Sequence, residues 1–322
     1  MKVNFIIEQS FGLKYLGCAT VSRQLINVLV EQGIDVSLNS KKEGFDLVHA
    51  HTFGPLAMSQ KEKATSIITA HSTPSINAGN IVFGEKNFWN SIYRTIYNRF
   101  DYVFAVSQFT VKELEDIGIT KPIHVLENGV NTDFFNYSKE KGDLFRKLNG
   151  YEKDEYLVLN VAQVTPRKGI YDFIKVAREN PDTKFLWIGG FPYFIGSSDY
   201  LKLKTMIKHP PENLRFTGFV EDIIGAYSGA NLLFTPSYRE TFGLTIIEAD
   251  ACHLPVLARD LEVFHDLFSD HISYGENIEE FSTAVKKRPK KTKASLSKKY
   301  DLKKIGKETI NLYEKILDSK HS

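Results

Sequence analysis

The chain has 322 residues, of which 42% are hydrophobic and 25% are charged, and its net charge at pH 7 is only +2. This length exceeds one ordinary core and predicts two domains, while no apolar run approaches the roughly 18 residues that a membrane span needs. The N-terminus lacks the long apolar region of a signal peptide, and Cys18 and Cys252 fit neither a zinc site nor a disulfide framework. A cytoplasmic location is therefore expected.

The first half of the chain alternates short apolar runs with helical segments. A helix is predicted over residues 19–32, with Val21, Leu25 and Leu29 on one face. Near-continuous apolar strands that alternate with helices are typical of a parallel sheet covered on both faces. The predicted strands are residues 3–7, 35–38, 46–51, 66–71, 102–107 and 123–128.

The pattern breaks at residues 131–155, which are polar and contain an Asn-Gly turn signal at 149–150. A second series follows, with a helix over 170–180 and a last helix over 302–317. Its predicted strands are residues 156–163, 184–190, 214–219, 231–237 and 255–260. The sequence thus predicts two doubly wound α/β domains, with ligands outside the carboxyl ends of the strands and a cleft between facing domains.

Familiar cofactor motifs are absent from the sequence. No G-x-G-x-x-G follows the first strand, which disfavours dinucleotide binding of the dehydrogenase type. A P-loop and a G-x-S-x-G nucleophile elbow are missing as well. The candidate chemistry lies instead at the strand ends.

The segment after the strand that ends at Gln163 places Arg167, Lys168 and Gly169 at the start of a helix. Cations at a helix start oppose the helix dipole unless an anion joins them. Together with the backbone N–H groups of the helix start they predict an anion site suited to a diphosphate. The alternative is that Arg167 and Lys168 are ordinary surface charges.

The segment "PSYRETFGLTIIEADAC" (236–252) places two glutamates around a helix start. Glu240 lies in the loop and is expected to project into the cleft, while Glu248 lies one turn into the helix, where it can accept hydrogen bonds from the vicinal hydroxyls of a ribose. Backbone N–H groups of Phe242, Gly243 and Leu244 can reach a phosphate or sugar hydroxyls. The alternative for Glu248 is an exposed helical glutamate.

Three histidines, His49, His51 and His71, lie at the ends of two strands of the first series. They invite a metal interpretation, but no nearby carboxylate would support the ligands. We therefore favour a cleft-facing polar role for His71, and His49 packed in the sheet, over a metal site.

Two further segments carry charge or aromatic residues. Residues 286–322 contain 13 Lys and Arg against four Asp and Glu, and a solvated linker is favoured over attraction to an anionic membrane. No aromatic residue interrupts the basic run before Tyr300, which argues against nucleic acid.

Residues 83–100 place aromatic residues beside Lys86, Arg94 and Arg99. This pattern fits a helix at a membrane interface and a helix packed in the core equally well. The aromatic and apolar members are Phe88, Trp89, Tyr93, Ile96, Tyr97 and Phe100.

Nearly the whole chain resembles the family 4 retaining glycosyltransferases of GT-B fold, above all the glycolipid synthases that extend a monoglycosyl-diacylglycerol. The resemblance is carried by "NVAQVTPRKGIYDFIKVA", "FLWIGG", "LRFTGF", "LENGVNTDFF", "DLVHAH" and "PSYRETFGLTIIEADACHLPVLARD". It implies an acceptor-binding domain over 1–137, a domain for the nucleotide sugar over 138–300, and a helix over 301–322 that packs back toward the first domain.

The resemblance also implies roles for single residues. Glu240 matches the first Glu of the E-x7-E motif, at the donor sugar, and Glu248 the second, at the ribose. Lys168 matches the lysine at the diphosphate; Gln163 stands where many relatives have arginine, and Arg167 is the residue that would compensate.

Three other positions match the family at the two ends of the donor. Gly17 matches a glycine of the N-terminal loop, whose other glycine is Leu16 here. His71 matches a histidine near the transferred sugar, and Phe219 lies where the family's backbone holds the base. Glu240, His71 and Lys168 are thus the catalytic candidates.

The predicted function is a retaining hexosyltransferase that uses UDP-glucose or UDP-galactose and extends a membrane glycolipid. No metal or other cofactor is expected, because Lys168 and helix dipoles would stabilise the departing diphosphate. Alternatives are a transferase with a soluble or polysaccharide acceptor, a non-catalytic sugar-nucleotide sensor, and a sugar-nucleotide epimerase. A peripheral location on the inner face of an anionic membrane follows from the glycolipid acceptor.

Overall fold

The computed structural model describes residues 1–8, 17–78, 86–191 and 197–321. Within these residues the chain divides into two compact units. The first contains the described residues before Thr132 together with the last segment, from Tyr300 onward, and the second is Thr132–Lys299. Each unit is built around its own parallel sheet.

The first unit contains a six-stranded parallel sheet in the order β2-β1-β3-β4-β5-β6. The strands are β1 (Lys2–Ile6), β2 (Asp35–Leu38), β3 (Leu47–Ala50), β4 (Thr65–Ala70), β5 (Tyr102–Ala105) and β6 (Ile123–Val125). The helices are α1 (Gly17–Glu31), α2 (Pro55–Gln60), α3 (Pro74–Ala78), α4 (Lys86–Tyr97) and α5 (Gln108–Asp116). The predicted strands are all present; those predicted at 3–7, 35–38 and 66–71 keep their lengths, and the others are shorter than predicted by two or more residues.

Alternation along the strands of the first unit forms two separate apolar clusters. Val48 and Ile68 belong to one cluster, and their neighbours Leu47 and Ile67 belong to the other. Because successive side chains of a strand point to opposite faces, the two clusters cover the two faces of the sheet. The prediction of a sheet buried on both sides is confirmed for this unit.

The second unit contains a sheet in the order β12-β11-β10-β7-β8-β9, again with parallel pairing throughout. Its strands are β7 (Leu157–Val161), β8 (Lys184–Ile188), β9 (Leu214–Gly218), β10 (Leu232–Thr235), β11 (Val256–Arg259) and β12 (Ser273–Gly275). Its helices are α6 (Lys139–Asn149), α7 (Ile170–Glu179), α8 (Tyr200–Lys208), α9 (Ile223–Gly229), α10 (Leu244–Ala251), α11 (Glu262–Phe268), α12 (Ile278–Lys286) and α13 (Leu296–Lys299). The strands β7 and β10, neighbours at the centre, end beside the two segments that carry Lys168 and Glu240.

The polar segment 131–155, which the sequence reading left without a helix, contains α6. Ser138 caps this helix by accepting a hydrogen bond from Lys141 N, and Gly150 ends it in the left-handed conformation. Phe145 and Arg146 are buried on its inner face. A serine before the segment and a glycine after it are the signals that could have revealed the helix.

The last helix, α14 (Leu302–His321), packs in the first unit. Ile305, Tyr313 and Ile316 belong to the apolar cluster that includes Val3 and Leu25. Inside this cluster the Tyr313 hydroxyl lies 2.5 Å from His49 Nδ1, and the other ring nitrogen of His49 lies 2.6 Å from Thr69 Oγ1. Helix α14 therefore contributes a buried polar contact as well as apolar area.

Replacing Tyr313 with phenylalanine should lower the free energy of unfolding by about 1–2 kcal/mol, because the buried nitrogen of His49 loses its partner while the ring volume is kept. The measurement is a urea titration followed by circular dichroism. Tyr102→Phe is the matched control, since its hydroxyl meets Ser319 of the same helix at 3.2 Å on the exposed side. Equal losses in the two variants would contradict the prediction.

Helix α4 is packed mainly as a core helix. Tyr93, Tyr97 and Phe100 are buried in one apolar cluster, against which Trp89 and Ile96 pack. Phe88 is 44% exposed, and Arg94 and Arg99 are exposed. The core-packed interpretation is thus confirmed for one face, and residues 83–85 of the predicted helix lie outside the described part of the chain.

The basic run after α12 follows the surface of the second unit. The Asp250 carboxylate of α10 accepts hydrogen bonds from Ser295 N and Ser297 N at 2.8–3.2 Å. The Nζ of Lys291 donates to Ser228 O at 2.5 Å and lies over the Tyr137 ring. The run is therefore held to the domain at several points, which an unattached linker would not be.

Candidate active site

The loop after β10 and the turn after β7 bring together the predicted diphosphate lysine and the first glutamate of the pair. Lys168 Nζ donates to Glu240 Oε1 at 2.5 Å, and Arg167 Nη1 lies 3.6 Å from Glu240 Oε2. The three side chains are largely enclosed, with exposed fractions of 19% for Lys168, 12% for Glu240 and 7% for Arg167. One carboxylate thus meets two cations, and the group carries a net positive charge.

Burial and charge act in opposite directions on this group. Burial alone would raise the pKa of Glu240, but the charges of Lys168 and Arg167 and the hydrogen bonds it accepts outweigh burial and lower the pKa. Burial, with the like charge of Arg167, lowers the pKa of Lys168 although Glu240 opposes the shift. Near neutral pH the glutamate is ionised, and its charge helps to keep the enclosed lysine protonated.

Close backbone approach explains why Gly169 follows Lys168. Residues Pro166–Lys168 form a short 3-10 turn, and Gly169 has φ +73° before α7 begins at Ile170. A Cβ atom on Gly169 would lie only 2.1 Å from Pro236 O. Glycine therefore serves both the left-handed turn and the contact between the two loops.

Helix α10 begins at Leu244, directly after the loop that carries Glu240. Gly243 precedes it with φ +101°, and no side chain caps this end of the helix. Phe242 is buried and anchors the loop. The first turn of α10 therefore presents backbone N–H groups and the positive end of the helix dipole without a capping side chain from the described residues.

Glu248 lies one turn further along α10 and meets a tyrosine that the sequence reading did not identify. The buried Tyr227 donates its hydroxyl to Glu248 Oε2 at 2.7 Å. Burial raises the pKa of Glu248 to about 7, and the Tyr227 hydrogen bond opposes the rise. Glu248 is thus partly enclosed, in contrast to the alternative of an exposed helical glutamate.

A second group of residues missed in the sequence supports the loop from behind. Asp172 of α7 accepts a hydrogen bond from the Tyr238 hydroxyl at 2.6 Å and forms an ion pair with Arg259. The Arg259 guanidinium lies 4.0 Å from the Tyr238 ring centroid and donates to Pro236 O at 3.2 Å. The signal available in the sequence was the arginine at the end of the strand "PVLARD".

Phe219 follows β9 and is 60% exposed, with its ring beside Gly190 at the end of β8. Gly17 is the first residue of α1 in the first unit, and Leu16 before it lies outside the described residues. The predicted site residues are therefore divided: Gly17 and His71 belong to the first unit, and the rest to the second.

The three histidines of the first unit form a row in which His49 and His51 are buried and His71 is half-buried. His49 and His51 have ring centroids 4.2 Å apart, and His51 Nδ1 lies 2.8 Å from His71 Nε2. Burial lowers the pKa of His49 to about 3 and that of His71 to about 4, so both rings are neutral near pH 7. His49 is packed in the sheet, as predicted.

A small pocket adjoins two of these rings within the first unit. His51, His71 and Ser22 line it together with Asn128, and its volume of about 20 Å³ suits one water molecule. Across the ranges that the structure describes, no group of three His, Cys, Asp or Glu side chains has an arrangement that could hold a metal ion. Every helix of the described ranges is too short or too polar to form a transmembrane span.

Comparison with known proteins decides the family. Residues 141–300 match the family described as "Glycosyl transferases group 1", and residues 38–134 match "Glycosyltransferase Family 4". The chain is 31% identical over 299 residues to the processive diacylglycerol alpha-glucosyltransferase of Acholeplasma laidlawii, covering 89% of this chain and 88% of that protein. The chain belongs to the family 4 glycosyltransferases.

A second relative of this glycosyltransferase has a related name. This chain is 29% identical over 321 residues to the alpha-galactosylglucosyldiacylglycerol synthase of Streptococcus pneumoniae, and the match covers 93% of this chain and 86% of that protein. The likeness to glycosyl-diacylglycerol glycosyltransferases, predicted from the motifs, is thereby confirmed.

Solved structures show the fold of this glycosyltransferase. Anabaena HepE in complex with UDP and glucose has a TM-score of 0.78 at 18% identity, covering 98% of this chain and all of that one. The sucrose-phosphate synthase of Thermosynechococcus elongatus has a TM-score of 0.80 at 16% identity, covering 99% of both chains. The predicted GT-B fold, with two doubly wound α/β domains, is confirmed.

Proposed function

We propose that this glycosyltransferase moves a hexose from UDP-glucose or UDP-galactose to a membrane glycolipid of the monoglycosyl-diacylglycerol type. The observation that carries the proposal is the contact of Lys168 with Glu240 beside the uncapped start of α10. A cation, a carboxylate and the positive end of a helix in one place suit a substrate in which a diphosphate is joined to a sugar.

The diphosphate would lie between Lys168 and the first turn of α10. The Nζ of Lys168 and the backbone N–H groups of Phe242, Gly243 and Leu244 would stabilise the negative charge that grows on the leaving phosphate. Because these donors are already in place, little reorganisation is needed during the reaction. Glu240 would accept hydrogen bonds from the hydroxyls of the hexose, and Arg167 would add the second positive charge that Gln163 does not supply.

The nucleoside would be held by the remaining residues of the second unit. Glu248 would accept a hydrogen bond from the ribose, and the exposed ring of Phe219 would lie beside the base. In the first unit, Gly17 and His71 are proposed to contact the hexose. Burial keeps His71 neutral near pH 7, so it would act there as a hydrogen-bonding group rather than as a cation.

The reaction proposed is a front-face displacement with retention of configuration and without an obligatory metal. The acceptor hydroxyl forms a bond to the anomeric carbon, the bond from that carbon to the diphosphate breaks, and the hydroxyl proton passes to the departing phosphate. The names of both relatives contain "alpha", and an alpha product from an alpha nucleotide sugar would require retention. Lys168 and α10 would supply the charge that a metal supplies in other transferases.

The lipid acceptor is supported by the relatives' names, and it requires that the protein reach a membrane surface. In the first unit, α4 exposes Phe88 and Arg94, and Arg99, which follows this helix, is exposed as well. An exposed aromatic ring with nearby cations suits the interface of an anionic bilayer. We propose a peripheral contact through this helix, with the first domain binding the acceptor.

The test is incubation of the purified protein with a panel of nucleotide sugars and vesicles that contain monoglucosyl-diacylglycerol, read by mass spectrometry. We expect one added hexose with UDP-glucose or UDP-galactose, an alpha linkage by NMR, and unchanged turnover in EDTA. In a density gradient the protein should float together with anionic vesicles to the upper fractions. Transfer only to water-soluble sugars would contradict the lipid acceptor, and conversion of the donor without an acceptor would indicate an epimerase.

A further inference from the structure

The buried contact between Tyr227 and Glu248 suggests a residue with an indirect role in donor binding. Glu248 is the proposed ribose contact, so this inference rests on the proposed function. We propose that Tyr227 is a positioning residue that holds the Glu248 carboxylate in place, so that Oε1 can accept a hydrogen bond from the ribose.

Tyr227 is held rigidly enough for this role. It lies on α9, whose start is capped by Asp222 accepting a hydrogen bond from Gly225 N. Helix α9 packs on α6 at backbone distance: a Cβ on Gly142 would lie 2.9 Å from Gly229 N, and one on Gly229 would lie 2.9 Å from Gly142 O. The hydroxyl of Tyr227 is therefore a fixed donor and not a mobile surface group.

The hydrogen bond from Tyr227 indicates which oxygen of Glu248 is left for a ligand. Tyr227 occupies Oε2, which fixes the plane of the carboxylate on α10. The other oxygen, Oε1, remains to receive a ribose hydroxyl. That Glu248 accepts two hydrogen bonds from vicinal hydroxyls stays a prediction; the structure shows one further hydrogen bond to this carboxylate from within the protein.

The hydrogen bond from Tyr227 also stabilises the charged form of Glu248, beside which the described part of the chain places no cation. Among the described residues Glu248 forms no ion pair, and the titratable groups that face it are the Tyr227 phenol and the Cys252 thiol, with Lys291 beyond the thiol. The pKa of the Cys252 thiol is raised to about 12 by burial and by the Glu248 charge, so the thiol stays protonated. The phenol is then the group that favours the ionised carboxylate against burial.

The experiment is Tyr227→Phe, which removes one oxygen atom and keeps the ring. Binding of UDP and of 2′,3′-dideoxy-UDP is measured by calorimetry from pH 6 to 9. For UDP at pH 7.5 we expect Kd to rise about tenfold in the variant, as is typical for losing a hydrogen bond to a charged group. As the pH is lowered, the affinity for UDP should begin to fall at a higher pH in the variant than in the unaltered protein. For the dideoxy nucleotide the two proteins should agree within about twofold, because it lacks the hydroxyls that Glu248 would bind.

Tyr156→Phe is the matched control, since this buried tyrosine of the same unit also donates its hydroxyl, to Pro289 O at 3.1 Å. It should leave the UDP affinity and its pH dependence unchanged. An equal loss of affinity for both nucleotides in Tyr227→Phe, or no loss for either, would overturn the inference while the proposed function stands. If the unaltered protein binds no uridine nucleotide, the proposed function fails and this inference fails with it.

Discussion

Lys168→Met should lower kcat/KM for hexose transfer by about a thousandfold, roughly 4 kcal/mol of transition-state stabilisation. The lysine provides the enclosed positive charge beside the start of α10, and methionine keeps most of the side-chain volume without that charge. Because the negative charge on the departing diphosphate is greater in the transition state than in the bound substrate, kcat should fall more than KM rises. Initial rates with UDP-glucose and a glycolipid acceptor measure both constants.

The matched control is Lys175→Met, an exposed lysine of the helix that follows Lys168. It should keep the rate of the unaltered enzyme. Lys168→Met also removes the nearer cation of Glu240 and leaves Arg167 at 3.6 Å, so circular dichroism must first establish that the variant is folded at the assay temperature. A folded Lys168→Met enzyme with a rate within threefold of the control would contradict the donor site proposed above.

Glu248→Gln should stabilise the protein at pH 8 by up to about 3 kcal/mol. Burial raises the pKa of Glu248 from 4.5 to about 7. Between these two pH values the folded state holds a proton that the unfolded chain has lost. This group therefore lowers the free energy of unfolding as the pH rises from about 4.5 to 7, and that loss persists above pH 7. Glutamine carries no charge to bury and can still accept the hydrogen bond from Tyr227.

The advantage of Glu248→Gln should shrink as the pH is lowered toward 4.5, where the carboxyl is protonated in the folded and the unfolded states. Urea unfolding at a series of pH values measures the difference. Glu212→Gln, at an exposed glutamate of the same unit, is the control and should produce no such trend. A Glu248→Gln variant that is less stable than the unaltered protein at pH 8 would show that the carboxylate is not buried as described. The same variant should bind UDP more weakly, because Glu248 is the proposed ribose contact. Stability and binding are thus opposed at this position.

The sequence predicted the strands well but placed most of their ends one or two residues too far along. Strands β7 and β10 were expected to reach Gln163 and Ser237, and they end at Val161 and Thr235. The difference arises because an apolar run does not mark where backbone pairing stops. The residues beyond each strand turn away to form the loops that carry Lys168 and Glu240.

Helix α6 was missed for a different reason. Eight of its eleven residues are charged or polar or glycine, so hydrophobic periodicity is weak, and its inner face is completed by α9, which lies some 80 residues later in the chain. The buried side chain of Arg146 finds its partners in Gly229 O and the Asn231 carboxamide. No local pattern reveals such partners.

The amino-acid sequence by itself determined the family, the two-sheet architecture and the pair Glu240 and Glu248, because these depend on short motifs and on the eight-residue spacing around a helix start. Tertiary structure alone decided which groups meet. It paired Lys168 with Glu240 across 72 residues, Asp172 with Arg259 across 87, and Tyr227 with Glu248 across 21. It also decided the charge states, since a carboxyl's pKa depends on how deeply long-range packing buries it and on which cations that packing brings near.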